Sequence, residues 1–157
     1  MNTGKEGRYS RIQEQLKDLF SRTSGMLARM ATINALLYHK MEGFFWVGFY
    51  LLDEGKLLVG PYQGPLACLE LPSKKGVCWE GITTGNIVIV PDVHNFPGHI
   101  ACDSRSRSEI VVPVYDSNNK VIGVLDIDSK EPDHFDQADA ENLENIVALI
   151  FKGYDLL

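Results

Sequence analysis

"SEIVVPVYDSNNKVIGVLDIDS", residues 108 to 129, decides the fold. Two apolar, branched runs flank the turn-forming trio Ser117-Asn118-Asn119, which is the pattern of a β-hairpin. Side chains alternate along a strand, so Asp126 and Asp128 share one face, about 6.5–7 Å apart, beyond Ile122 and Val124. An apolar strand thus ends in two like charges, and Glu109 opens the strand beside it. Partial burial and mutual repulsion both push one such carboxyl pKa upward, towards a neutral acid at pH 7. The competing reading leaves both aspartates in water at a frayed strand end, where they simply start the next turn.

Outward from this hairpin, "FFWVGFYLLDEGKLLVG" (44–60) repeats the pattern, with Asp53-Glu54-Gly55 as its turn. Trp46 and Tyr50, four apart, fall on one face of its first strand, as pocket lining or as core. "YQGPLACLELPSKKGV" (62–77) reads as a loop punctuated by Gly and Pro, leading into a short helix near Cys78 to Thr84. "NIVIVPD" (86–92) is one more strand. Helical spacing marks both ends of the chain instead. Ile12, Leu16, Leu19 and Phe20 form one stripe. After a break at Ser24-Gly25, Leu27, Met30, Ile33, Leu36 and Leu37 form a second. Asp136 can cap a last helix striped by Leu143, Ile146, Val147, Ile150 and Phe151. Residues 1 to 8 are polar and expected to be loose. Helices at both ends of an antiparallel sheet make this an α+β domain spanning residues 1 to 157. The terminal helices are expected on one sheet face, leaving the other face and the long loops for a ligand. Their stripes are expected to be core, with room for a homodimer surface.

Composition narrows the function classes. A chain of 157 residues with 45% hydrophobic and 23% charged residues can bury one proper core. Its net charge of −6 and the absence of any Lys/Arg block argue against a nucleic-acid partner. The N-terminus lacks the apolar segment of a secretory signal, and the run "FFWVGFYLL" is too short to span a bilayer. No membrane partner is expected, and the expected location is cytoplasmic. Cys68, Cys78 and Cys102 would there be reduced at rest, and three cysteines cannot all pair with one another.

"VPDVHNFPGHIACDSRSRSEIVVP" (90–113) sets Cys102 among His94, His99, Arg105 and Arg107. Positive neighbours lower a thiol's pKa and enrich the nucleophilic thiolate. The bland alternative makes each cysteine a small buried hydrophobe, which suits Cys78 in its apolar helical setting better than Cys102. His94, His99 and Cys102, with Cys68 or Cys78, could imitate a zinc shell. Their spacings match no standard zinc motif, so no metal is expected.

That segment, with "GPYQGPLACLELPSKKGVC" (60–78) and "NKVIGVLDIDS" (119–129), closely resembles the free methionine-(R)-sulfoxide reductases, which are GAF-domain enzymes. The resemblance runs from about Trp46 to the last helix. It implies a GAF-like fold and reduction of free L-methionine-(R)-sulfoxide without a cofactor. It further implies that Cys102 attacks, forming a sulfenic acid, and that Cys68 resolves it as a disulfide. Cys78 would substitute for Cys68 or accept the disulfide onward, and thioredoxin would restore the thiols. Glu109, Asp126 and Asp128 would polarise the sulfoxide oxygen and hold the substrate ammonium, while Trp46 and Tyr50 line the pocket. The alternative from another class is a GAF sensor module that binds a small molecule without turning it over.

Overall fold

Alternating aromatic and branched residues draw six segments of the chain into one antiparallel sheet. A computed structural model describes residues 3–153 except Ser24 and Ala101. Two helices come first, α1 (Thr3–Phe20) and α2 (Met26–Lys40). The hairpin β1 (Trp46–Asp53) and β2 (Lys56–Gln63) follows, then the short β3 (Glu70–Leu71) and helix α3 (Val77–Thr84). The strand β4 (Val88–Val90) leads to the second hairpin, β5 (Ser108–Tyr115) and β6 (Val121–Ser129), and to α4 (Gln137–Val147). The sheet order is β3-β2-β1-β6-β5-β4, so the two hairpins meet through their β1 and β6 strands at the centre.

Alternation then gives each central strand two different faces. Val47 and Phe49 of β1, Ile110 and Val112 of β5, and Leu125 and Ile127 of β6 pack with α1, α2 and α4. Trp46, Tyr50, Val111 and Val124 point the other way, into a smaller cluster with Val77, Cys78 and Trp79 of α3. Helix α3 approaches closely there. A Cβ on Gly81 would lie 2.7 Å from Val111 Cγ1, so only glycine lets the helix lie this near the strands.

Several expectations need correction. Of the stretch 1 to 8 expected to be loose, residues 3 to 8 are helical, because α1 already runs from Thr3, and residues 1 and 2 lie outside the described residues. Lys5 Nζ and the Tyr9 hydroxyl each reach the buried Asp139 carboxylate of α4 at 2.6 Å, which ties the first turns down. Asp139 also completes a capping box with Asp136, the expected cap. Leu27 is not core: it is 68% exposed. The last helix stops at Val147 although its apolar stripe continues to the buried Ile150. The loop after β2 contains β3, whose Leu71 and Glu70 pair with Leu57 and Leu58. Ile122 is the extra residue of a bulge where β5 and β6 shift register, and it packs on the helix side rather than beside Val124. Ser24, half of the expected break between the first helices, lies outside the described residues.

One buried cation organises the helix ends. Arg29 on α2 is wholly buried and donates to the carbonyls of Phe20, the last residue of α1, and of Thr23 beyond it. It also donates to Leu149, Ile150 and Lys152 after α4. Helix C-termini leave carbonyls without partners, and this guanidinium supplies donors to two of them. In the sequence Arg29 is one charge in an amphipathic helix, with nothing to mark it as buried.

Candidate active site

The floor of the site is β1. Trp46 and Tyr50 do share a face, with ring centroids 5.7 Å apart. Trp46 also stacks on Tyr62 of β2 at 5.3 Å, across the pair formed by Gly48 and Tyr62. A Cβ on Gly48 would fall 2.4 Å from both Trp46 Cη2 and Tyr62 Cβ, so glycine makes room for the indole to lie along the strand. Trp46 Nε1 donates to the Pro65 carbonyl and the Tyr50 hydroxyl to the Cys68 carbonyl, both at 3.1 Å. Two aromatic side chains of the floor thereby hold the loop that carries Cys68. Tyr62 was not among the sequence candidates; a glycine inside an aromatic strand was the available signal.

Across this floor Cys68 and Cys102 are joined in a disulfide, with Cα atoms 5.5 Å apart at a sequence separation of 34. Cys102 is exposed, Cys68 half-buried. Cys78 is a free thiol buried in α3. Trp79 beside it is also buried, with its indole N–H towards the Leu71 carbonyl at 3.5 Å.

The basic residues near Cys102 in sequence are engaged elsewhere. Arg105 forms a fork with Asp103, at 2.9 and 2.7 Å, while its guanidinium lies 4.8 Å over the Phe45 ring. Those bonds hold the Asp103 carboxyl down to about 2. Arg107 faces Asp92 at 3.8 Å, and His94 is exposed. His99 lies 3.8 Å from Glu109, and burial followed by the nearby His94 lowers its pKa. The positive charges expected to act on the Cys102 thiol are therefore largely offset. The two arginines neutralise aspartates of the same loop, and burial favours the neutral imidazole of His99.

The acids are brought together as the alternation requires. Glu109 pairs in register with Asp128 across β5 and β6, and Asp126 sits two pairs further in, opposite Val111. Glu109 and Asp126 are each 5% exposed, which rules out a frayed, watery strand end. Burial first, then the Asp126 and Asp128 charges, push Glu109 well above the usual carboxylate range. Asp128 is raised likewise by desolvation, then by Asp126 and Asp103. Asp126 is raised by burial, but hydrogen bonds from Glu109 and Cys78 pull it back. Burial and these acids also raise the Cys78 thiol well above normal. The cluster thus favours protons on Glu109, Asp128 and Cys78, with Asp126 accepting from Glu109 and Cys78.

Among the described residues, Cys78, Glu109 and Asp126 are also the group whose donor atoms approach a metal-ligand arrangement, all within 4.8 Å of one another. His94 and His99 do not belong to it. One oxygen, Asp126 Oδ1, is buried without a hydrogen-bond partner. A buried acceptor left open is a place where a ligand donor gains more than it would in water. The cavity above these acids holds about 50 Å³ and is bordered by Trp46, Tyr50, Cys78, Cys102, Glu109 and Asp126, among others.

The GAF domain model matches residues 32–150. The chain is 43% identical to GAF domain-containing protein A of Dictyostelium discoideum, over 93% of this chain and 92% of that one. It is 40% identical to the free methionine-R-sulfoxide reductase of Escherichia coli (strain K12), over 92% of this chain and 87% of that one. The X-ray structure of free methionine-R-sulfoxide reductase from Neisseria meningitidis, in complex with its substrate, superposes with a TM-score of 0.91. That pair is 39% identical and covers 99% of this chain and 93% of the other.

Proposed function

The chain belongs to the GAF-domain family, and from that premise we propose that it is a thiol-dependent reductase of free L-methionine-(R)-sulfoxide. The observation that carries the chemistry is the disulfide between Cys68 and Cys102 at the edge of a cavity floored by three acids. Such a disulfide is the product expected after one turnover.

The steps follow from the groups present. The substrate's ammonium enters beside Glu109, Asp126 and Asp128, whose burial is offset by an opposite charge. That charge favours the ionised carboxylates and so lowers their pKa values, which promotes proton release towards the sulfoxide oxygen. Cys102 attacks the sulfoxide sulfur as thiolate. The oxygen, protonated from the acid cluster, passes to Cys102 as a sulfenic acid, and methionine leaves. The Cys68 thiol attacks that sulfenic sulfur, water departs, and the disulfide forms. A dithiol protein of the thioredoxin class would return two electrons and two protons, which places the reaction in a reducing compartment such as the cytoplasm. No described helix is long and apolar enough to cross a membrane. A homodimer would have to use surface outside the helical stripes, which are largely taken up by the core.

The test is consumption of free methionine-(R)-sulfoxide with dithiothreitol, run beside its N-acetylated, amidated form. Catalytic loss of the free amino acid alone is expected, because a site that pairs a charge rejects an analogue lacking it. Binding without consumption would leave the sensor reading standing. Equal kcat/KM for both forms would remove the ammonium from the account.

A further inference from the structure

Cys78 is a buried free thiol that the proposed turnover leaves unused. Packing sets its position. Gly81, three residues further along α3, shares its helix face and lets that face down onto β5 and β6. A Cβ there would lie 2.7 Å from Val111 Cγ1 and 3.4 Å from Val124 Cγ1. Val111 is the register partner of Asp126, so the same approach brings the thiol to that carboxylate. Three elements then contribute one donor each: Cys78 Sγ from α3, a Glu109 oxygen from β5 and an Asp126 oxygen from β6. All lie within 4.8 Å of one another, and Asp128, though it borders the same cavity, is outside this trio. A substrate ammonium gains little from sulfur, which is a weak acceptor. A thiolate beside two carboxylates instead suits a borderline-soft cation. A second observation points to a ligand. Asp126 borders the cavity at 5% exposure, and its Oδ1 is buried without a hydrogen-bond partner.

We propose that Cys78, Glu109 and Asp126 bind a zinc ion, and that the occupied site is closed to substrate. Tetrahedral zinc lies about 2.0–2.3 Å from its ligands and separates their donor atoms by about 3.3–3.8 Å, so the trio draws in by about 1 Å at its widest. The adjoining cavity of about 50 Å³ leaves room for that movement and for a water in the fourth position. The thiol and both carboxyls give up their protons to solvent as the ion enters, and its two positive charges replace them. Magnesium and calcium keep to oxygen ligands, so the sulfur selects against them. This is not the shell that sequence spacing suggested, since His94, His99, Cys68 and Cys102 take no part in it. The ion puts positive charge where the substrate's ammonium enters, which makes zinc an inhibitor and not a cofactor. The inhibition rests on the sulfoxide reductase reading; the binding does not.

Binding is tested on the disulfide form, in which Cys78 is the one free thiol. Cobalt(II), as a spectroscopic stand-in, should bind at about one equivalent per chain with thiolate-to-cobalt charge-transfer absorption, which zinc abolishes and magnesium does not. Cys78→Ser should lose that band. Asp126→Asn should weaken binding at least about tenfold, and Asp128→Asn should keep the band, with circular dichroism checking each fold. Inhibition is read in a single turnover of reduced enzyme freed of reductant. About one equivalent of zinc should slow methionine formation at least about tenfold, and EDTA should restore it. Cys78→Ser should lose this sensitivity, judged against its own metal-free rate. No band in wild type, a band surviving in Cys78→Ser, or unaltered affinity in Asp126→Asn overturns the proposal. So does a bound ion that leaves turnover unslowed, or undiminished inhibition of Cys78→Ser, which would place the zinc on Cys68 and Cys102. Failure of the sulfoxide reductase reading would appear separately, as no methionine from metal-free wild type with the cobalt band intact.

Discussion

The two faces of this sheet come from the same strands and obey opposite rules. On the helix side, Phe49, Val112 and Ile127 are at most 1% exposed and pack into an apolar cluster drawn from the sheet and helices. Each such side chain contributes about 1.5–3 kcal/mol by leaving water. On the other side the strands end in Glu109, Asp126 and Asp128, where the same burial penalises charge and raises each carboxyl. One face gains from exclusion of water what the other loses by it. The difference teaches that a reactive, proton-holding site is stable only because it shares its strands with a dry core.

The largest expected effect is on the reactive side. Cys102→Ser should form no methionine even in a single turnover, because a neutral hydroxyl does not replace an attacking thiolate. Cys68→Ser should still yield about one equivalent and then stall with one oxygen on Cys102, read by quenched-flow and intact mass. A burst from Cys102→Ser and none from Cys68→Ser would reverse their roles. Next comes the dry side. Phe49→Ala should cost about 3–5 kcal/mol of unfolding free energy in urea, yet leave kcat near wild type at temperatures where the variant is folded. A matching loss of kcat would mean that the faces are not separable.

The acids should show both faces' logic at once. Glu109→Gln or Asp128→Asn should slow the chemical step by about 10²-fold or more, close to 2.7 kcal/mol of barrier. The same changes should stabilise the fold at neutral pH, since each buried acid must take up a proton on folding and an amide need not. Wild-type rates in both variants would make the carboxylates structural.

A smaller effect follows from pH. Glu109 binds its proton more tightly folded than unfolded. The native state then holds more protons, so this group's contribution to stability is full below about pH 4 and is lost as pH rises through the raised native value. The stability advantage of Glu109→Gln over wild type should therefore grow from pH 5 towards pH 8 in urea titrations. A constant advantage would place Glu109's pKa near its unfolded value. The least effect should come from Leu27→Ala, within about 0.5 kcal/mol of wild type, because Leu27 faces solvent at 68% exposure. A cost above 2 kcal/mol would mean that a partner covers it.

What the sequence by itself determined is local and periodic. Two-residue alternation placed Asp126 with Asp128 and Trp46 with Tyr50, and helical spacing marked the core stripes, because both periods are properties of the backbone. Motif resemblance added the expected pairing of Cys68 with Cys102, which no period contains. Tertiary structure alone decided the rest. It closed the sequence separation of 34 between those cysteines, buried Arg29 among carbonyls from two helix ends and started α1 at Thr3 by offering Lys5 and Tyr9 a carboxylate on α4. It also set Asp103 on Arg105 and Asp92 beside Arg107, cancelling charges that the sequence placed near Cys102. The physical reason is range. Alternation and helical pitch act within a few residues, whereas burial, and with it every raised pKa in the site, depends on which distant segments exclude the water.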